Sequence, residues 1–317
     1  MPHLRHFHCR QLGTVYLHDA SAFDVIATLP RLDSFAAVWS TKYNLNILLD
    51  RLPPLRSIDV DPDGNRMDAL ERLLLRSHET LQSLETVDWE LEPFLESKAR
   101  GVVWPQLFKL CVYSLHGPSP LEAFVNLEVL HITRNGIGPV YFLWDPAILP
   151  RLRQLTTFAS RVPAEGIDRS KRRSLAHLYV MLDPDLELTA MDLLDFVTAF
   201  QWPDLLSLRF ESDTARDAAT VDCVMGSIPV MLAACTNLRL LILPIGLDIK
   251  TLDDFLSIIL HASNGVAGPA PLPELLCVLL SSRMHEEDLE EPDVESFYAV
   301  CERGAVQLFP RLSLMRA

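Results

Sequence analysis

One short pattern recurs from end to end of this chain: an apolar residue, often followed by proline, and then Leu-x-x-Φ-x-Φ, where Φ is apolar. Its clearest copies are LPRLDSFAAV, LPPLRSIDV, LQSLETVDW, WPQLFKLCV, FVNLEVLHI, LPRLRQLTT, RRSLAHLYV, WPDLLSLRF, CTNLRLLIL, LPELLCVLL and FPRLSLM. The anchoring leucines are Leu32, Leu55, Leu84, Leu107, Leu127, Leu152, Leu175, Leu205, Leu238, Leu275 and Leu312, with an earlier copy at Leu12. Successive anchors stand between 20 and 37 residues apart, so this is a repeat with variable insertions. No copy this short can bury its own apolar face, and neighbouring copies must supply the core for one another.

The spelling is that of a leucine-rich repeat, LxxLxLxxN, which places one strand in each unit of roughly 20 to 29 residues and follows it with a helix or 3-10 turn. The copy at Leu127, LEVLHITRN, matches through Asn135, and elsewhere that place holds Ser40, Asp63, Ser160, Asp183 or Asp213. These short polar side chains can bond the backbone where the chain turns out of the strand. Proline stands two residues before the anchor at Pro30, Pro53, Pro105, Pro150, Pro203, Pro273 and Pro310, where it stops a preceding helix. Between strands, residues 66–81, 188–200, 251–260 and 294–304 carry apolar residues at helical spacing. The expected fold class is therefore α/β: a leucine-rich-repeat solenoid, with a curved parallel β-sheet on the concave face and helices and irregular segments on the convex face. Residues 1–317 read as a single irregular domain of about twelve repeats, the first incomplete. SNGVAGPAPLP (263–273) reads as an insertion in a late repeat.

Strand alternation says which side chains face outward. In LRSIDVDPDG, Leu55, Ile58 and Val60 point into the core, so Ser57, Asp59 and Asp61 face the concave surface. With the next copy anchored at Leu84, Asp88 and Glu90 take the matching places. Parallel neighbours lie about 4.8 Å apart, which sets Asp59 beside Asp88 and Asp61 beside Glu90. Adjacent like charges cost on the order of a few tenths to 1 kcal/mol per pair, so stability alone would not choose them. They point to an acidic patch that receives a basic segment of a protein partner, against the plainer reading of a solvated face. The same register adds Tyr16, His18, Val38, Trp39, Lys109, Tyr113, His131, Arg134, His177, Tyr179, Arg209 and Glu211. Aromatic and arginine side chains are the types that dominate interface energies, although a slip of one residue would turn any strand over.

DVDPDG (59–64) also spells the opening of a calcium loop, but the twelfth position is Leu70 and Pro62 interrupts the first ligands. An EF-hand needs an acid at that twelfth place, so strand geometry and turn chemistry account for the aspartates better. His3, His6, His8 and Cys9 cluster in HLRHFHC, yet a metal centre needs further partners in fixed geometry, and the segment resembles an incomplete first strand. No metal and no cofactor are expected. The motifs GxSxG, HExxH and GxxxxGK[ST] do not occur, so hydrolase, zincin and P-loop chemistry lack their local signatures. HEEDLEEPDVE (285–295) offers no paired carboxylates assignable to acid–base work, and RSKRRS (169–174) reads as a solvated turn.

A formal net charge of −14 opposes a nucleic-acid or anionic-membrane surface, because phosphate binding needs a positive field. Six cysteines without a CxxC pair suggest neither a zinc knuckle nor a disulfide framework, and point to a reducing, intracellular compartment, cytoplasmic or nuclear. The N-terminal stretch has no signal-peptide core, and no apolar run has the length a membrane span requires.

The spelling Φ-P-x-L before each strand, as in WPQLFKLCV, WPDLLSLRF and LPELLCVLL, resembles the F-box and leucine-rich-repeat proteins abundant in mushroom-forming fungi. The resemblance implies a substrate receptor of a cullin-type ubiquitin ligase, in which an F-box holds the adaptor and the repeats hold the target. No F-box is read before the first repeat at HLRHFHCRQLGTVYL, so the expectation divides: either the chain is a fragment whose F-box is missing, in which case a ubiquitin-ligase adaptor is an expected partner, or it is a free-standing repeat scaffold with no ligase connection. The function expected is a non-enzymatic protein–protein interaction module, with a free-standing repeat scaffold as the alternative.

Overall fold

The computed structural model describes residues 3–9, 21–38, 45–61, 68–86, 89–115, 117–133, 141–158, 173–182, 204–212, 235, 237–243 and 277–280. The chain divides into two compact units, Met1–Leu152 and Arg153–Ala317. Unit 1 holds strands β1 (His6–Cys9), β2 (Ser34–Val38), β3 (Ser57–Asp61), β4 (Ser83–Thr86), β5 (Lys109–Val112) and β6 (Val129–Ile132). Each pairs in parallel with the next in chain order. Unit 2 holds β7 (Gln154–Phe158), β8 (His177–Leu182), β9 (Ser207–Ser212), β10 (Leu240–Leu243) and β11 (Cys277–Leu280), paired in the same way. Unit 1 is a solenoid-like α/β arrangement, and in unit 2 the described strands likewise return in parallel, one per repeat.

The anchors expected at Leu32, Leu55, Leu107, Leu127, Leu152, Leu175, Leu205 and Leu238 are all buried. So are the strand positions three residues on, including Phe35, Ile58, Leu110, Leu130, Leu178 and Leu208. One backbone device locks successive repeats together. The N–H groups of the first two residues after an anchor both donate to the carbonyl one place after the previous anchor: Arg56 and Ser57 to Asp33 O, Phe108 and Lys109 to Gln82 O, Glu128 and Val129 to Phe108 O. In unit 2, His177 and Ala176 donate to Arg153 O, Leu206 and Ser207 to Ala176 O, and Arg239 and Leu240 to Leu206 O. Within each unit, the strands joined in this way start at the same height, and their apolar rows fall into register.

That device corrects two expected anchors. Gln82 and Ser83 donate to Arg56 O, so Leu81, and not Leu84, stands where Leu55 stands in its own repeat. Leu84 pairs with Ile58 in the next apolar row. LQSL carries leucines three apart, and either satisfies the spelling; with Leu81 as anchor, the steps from Leu55 and to Leu107 become 26 residues each. Similarly, the neighbour of β2 is β1, with Leu4 in the anchor place, and not a strand counted from Leu12. Leu12, Leu275 and Leu312 lie outside the described residues, as do the helical segments expected at 188–200, 251–260 and 294–304 and the insertion at 263–273.

Among the described residues of unit 1 the inter-strand segments form helices α1 (Ser21–Ala27), α2 (Leu45–Arg51), α3 (Asp68–Ser77) and α4 (Leu91–Ser97). The sequence pattern at 66–81 resolves into α3. Asp68 and Glu71 complement the positive end of its dipole and Arg76 the negative end. Ala69, Leu70, Leu73, Leu74 and Ser77 make the buried stripe that helical periodicity demands. Successive helices are tied by ion pairs in which the base lies one repeat after the acid: Arg51 to Asp24, Arg72 to Asp50 through two bonds of 2.7 Å, and Lys98 to Asp68 and Glu71. Apart from the largely covered Glu71 carboxylate, these groups are solvent-exposed, so the pairs set alignment more than they add stability.

Only 20 residues separate Leu107 from Leu127, and Pro118 and Pro120 stand between them. Proline removes a donor from the helix ladder, and the segment makes a 3-10 turn, Ser119–Ala123, where longer repeats make a helix. Aromatic rings take over the packing: Phe94 meets Trp104 edge-on at 6.3 Å, and Trp104 lies 5.6 Å from Phe124.

Candidate interaction face

The side of the strands opposite these buried rows presents the other half of the alternation. In unit 1 its central row runs, by Cα partner, His8, Ala36, Asp59, Glu85, Cys111, His131. The row before it runs His6, Ser34, Ser57, Ser83, Lys109, Val129.

The outward placement expected for Asp59, Lys109 and His131 holds, and all three are half-buried. The expected neighbour of Asp59 does not hold: its partner is Glu85, and not Asp88. The cause is the anchor at Leu81, which moves the outward places of β4 three residues towards the N-terminus. Glu90 leaves the face for the same reason; it is the exposed, extended residue that precedes α4. Asp61 has Val38 as its Cα partner, while its side chain lies outside the described set. Asp88, Tyr16, His18, Trp39 and Arg134 also lie outside the described residues. Tyr113 is half-buried, one residue past the end of β5.

Of this row, sequence reasoning missed His8, Ala36, Glu85 and Cys111. The signal for Glu85 was the doublet of leucines in LQSL. Cys111 was hidden by its type, since a cysteine inside an apolar strand reads as core, and on the outward face it is still 7% exposed. Lys109 Nζ lies 3.0 Å from Glu85 Oε2. Lys109 thus pairs with the Glu85 member of these like-charged neighbours. Burial pushes the Cys111 thiol up to about 12, with Glu85 adding to the effect and Lys109 opposing it. Burial also lowers the His131 imidazole, helped by Lys109 and opposed by Glu85. Cys111 and His131 are Cα partners, but both are held in their neutral forms at pH 7, so they make no thiolate–imidazolium pair.

In unit 2 the corresponding row runs Thr156, Tyr179, Arg209, Ile242. His177 is exposed, and Tyr179 and Arg209 are half-buried, as alternation predicted. The Arg209 guanidinium carbon lies 4.5 Å from the centre of the Tyr179 ring, a cation–π contact that holds the long side chain against the sheet. Glu211 has Met181 as its Cα partner, and its side chain lies outside the described set.

Among the described residues there is no group of three or more His, Cys, Asp or Glu that could hold a metal ion. No helix among them is long and apolar enough to cross a membrane. Comparison with known proteins finds no family model that matches this sequence and no curated protein similar to it.

Proposed function

We propose that the chain is a non-enzymatic protein-recognition module of the leucine-rich-repeat class, which binds a protein partner through the outward faces of its strands. The repeat class draws support from the recurring anchors and from the carbonyl device that joins one repeat to the next. The single observation that carries the binding role is the side-by-side placement of Asp59 and Glu85. Adjacent like charges are unfavourable by about a few tenths to 1 kcal/mol, a penalty that Lys109 offsets in part at Glu85 and that a basic segment of a partner would relieve further. Tyr179 and Arg209 supply interface-type side chains in unit 2. The free cysteines Cys9, Cys111 and Cys235 are in keeping with a reducing, intracellular setting.

Affinity purification with mass spectrometry, comparing the native chain with the variant Asp59→Lys plus Glu85→Lys, tests this reading. Partners recovered with the native chain should be lost or depleted with the variant; an unchanged set of partners from a folded variant would refute the acidic site. Target recognition within an F-box-type ubiquitin-ligase receptor is the finer reading, and the repeat spelling is its support. Co-purification of a ligase adaptor and cullin with the native protein would favour it. Partners without either would favour the free-standing scaffold.

A further inference from the structure

The first strand carries a feature that the acidic site does not use. His6 and His8 are both exposed and stand two residues apart on β1, so their side chains leave the same face. The facing of this strand is fixed from the other side, where the Phe7 ring stacks on Phe35 at 5.7 Å with 10° between the ring planes. Cys9 alternates onto the side of Phe7, and the His3 ring nitrogen lies 3.4 Å from the Arg31 guanidinium. Neither belongs with the other two histidines. The Cα partners of His6 and His8 on β2 are Ser34 and Ala36, whose short side chains do not crowd the imidazoles from that strand.

We propose that His6 and His8 form a two-nitrogen chelating site for a divalent transition-metal ion. Two residues of strand place their Cβ atoms about 6.7 Å apart, a span that two imidazoles leaning towards each other can close on one ion. The ion then sits at about 2.0–2.1 Å from each nitrogen. Imidazole suits Cu²⁺, Ni²⁺ and Zn²⁺, with Cu²⁺ bound most tightly by the general order of stabilities. Two protein nitrogens leave the remaining positions to water or to a donor on a partner, such as a carboxylate or another imidazole. Binding competes with protons and weakens as the pH falls.

The test is calorimetric titration of the untagged full-length chain with CuCl₂ and with ZnCl₂, together with electron paramagnetic resonance of the Cu²⁺ complex. The tightest site should show hyperfine structure from two imidazole nitrogens. His6→Gln and His8→Gln, at exposed positions, should each weaken that site by roughly tenfold or more, because the second ligand no longer closes a ring within one molecule. His3→Gln and Cys9→Ser should leave it unchanged. Retention of the tightest site in His6→Gln or His8→Gln, or its loss in His3→Gln or Cys9→Ser, would overturn the assignment. Since no protein partner enters the measurement, its outcome is independent of the acidic site.

Discussion

Replacing Ser77 by alanine should destabilise unit 1 far beyond what removal of one oxygen atom suggests. Ser77 is fully buried at the C-terminal end of α3, and its Oγ accepts a 3.0 Å hydrogen bond from the N–H of Leu55, an equally buried anchor. Leu55 precedes β3, so the strand ladder offers its N–H no partner. At the carbonyl of the same residue, Thr80 Oγ1 donates to Leu55 O at 2.9 Å. Ser77→Ala leaves a buried donor unsatisfied, which costs about 1–3 kcal/mol. At about 1.4 kcal/mol per tenfold, that is a loss of about fivefold to about a hundredfold in the folding equilibrium. Thr80→Val removes a bond at a part-buried site and should cost about 1 kcal/mol or less. Urea unfolding followed by circular dichroism gives the stabilities, and amide hydrogen exchange at Leu55 reads the bond itself. If Ser77→Ala matched the native midpoint and left Leu55 protection unchanged, a hydroxyl tying helix end to anchor would not be part of how the repeat holds together.

Three further outcomes follow from the electrostatics. The Arg72 hydrogen bond holds the Asp50 carboxyl below its ordinary value of 3.8; a depressed folded-state carboxyl adds stability above that pH and loses it as the pH falls through the lowered value. The stability difference between native chain and Asp50→Asn, measured by denaturant titration, should therefore shrink in acid and in high salt. His131 should titrate below 6.5 by proton–carbon NMR, and its midpoint should rise in Lys109→Met and fall in Glu85→Gln. A lowered imidazole stabilises the fold above its unfolded-state value, and that contribution is lost as the pH drops below it. Cys111 and Cys235, both pushed up to about 12, should resist iodoacetamide at pH 8 until the chain is unfolded. Rapid alkylation of either in the native protein, located by peptide mapping, would contradict their burial.

Several features of the fold were legible without coordinates because they depend on local period alone. Leucines such as Leu107, Leu127 and Leu205 announced the strands, and alternation from them placed Lys109, His131, Tyr179 and Arg209 on the outward face. The α3 stripe was equally readable, since Leu70, Leu73 and Leu74 repeat at helical spacing. Legibility ended where two frames satisfied the same spelling. LQSL admits Leu81 or Leu84 as anchor, and the choice moved the acidic neighbour of Asp59 from Asp88 to Glu85. At the start of the chain, HLRHFHC and the Leu12 copy competed to be the neighbour of β2, and the former holds that place.

What the amino-acid order determined by itself was the periodic content: one strand per repeat, which side chains share a face, and where proline forbids a helix. Only the tertiary structure decided which residues of different repeats stand side by side, because strand register is set by hydrogen bonds between segments 20 or more residues apart. Those bonds depend on where the preceding helix or turn releases the chain, a quantity no local pattern contains. The charge of the outward face, the neutral Cys111 and His131 neighbours, and the pairing of Glu85 with Lys109 are all consequences of that register.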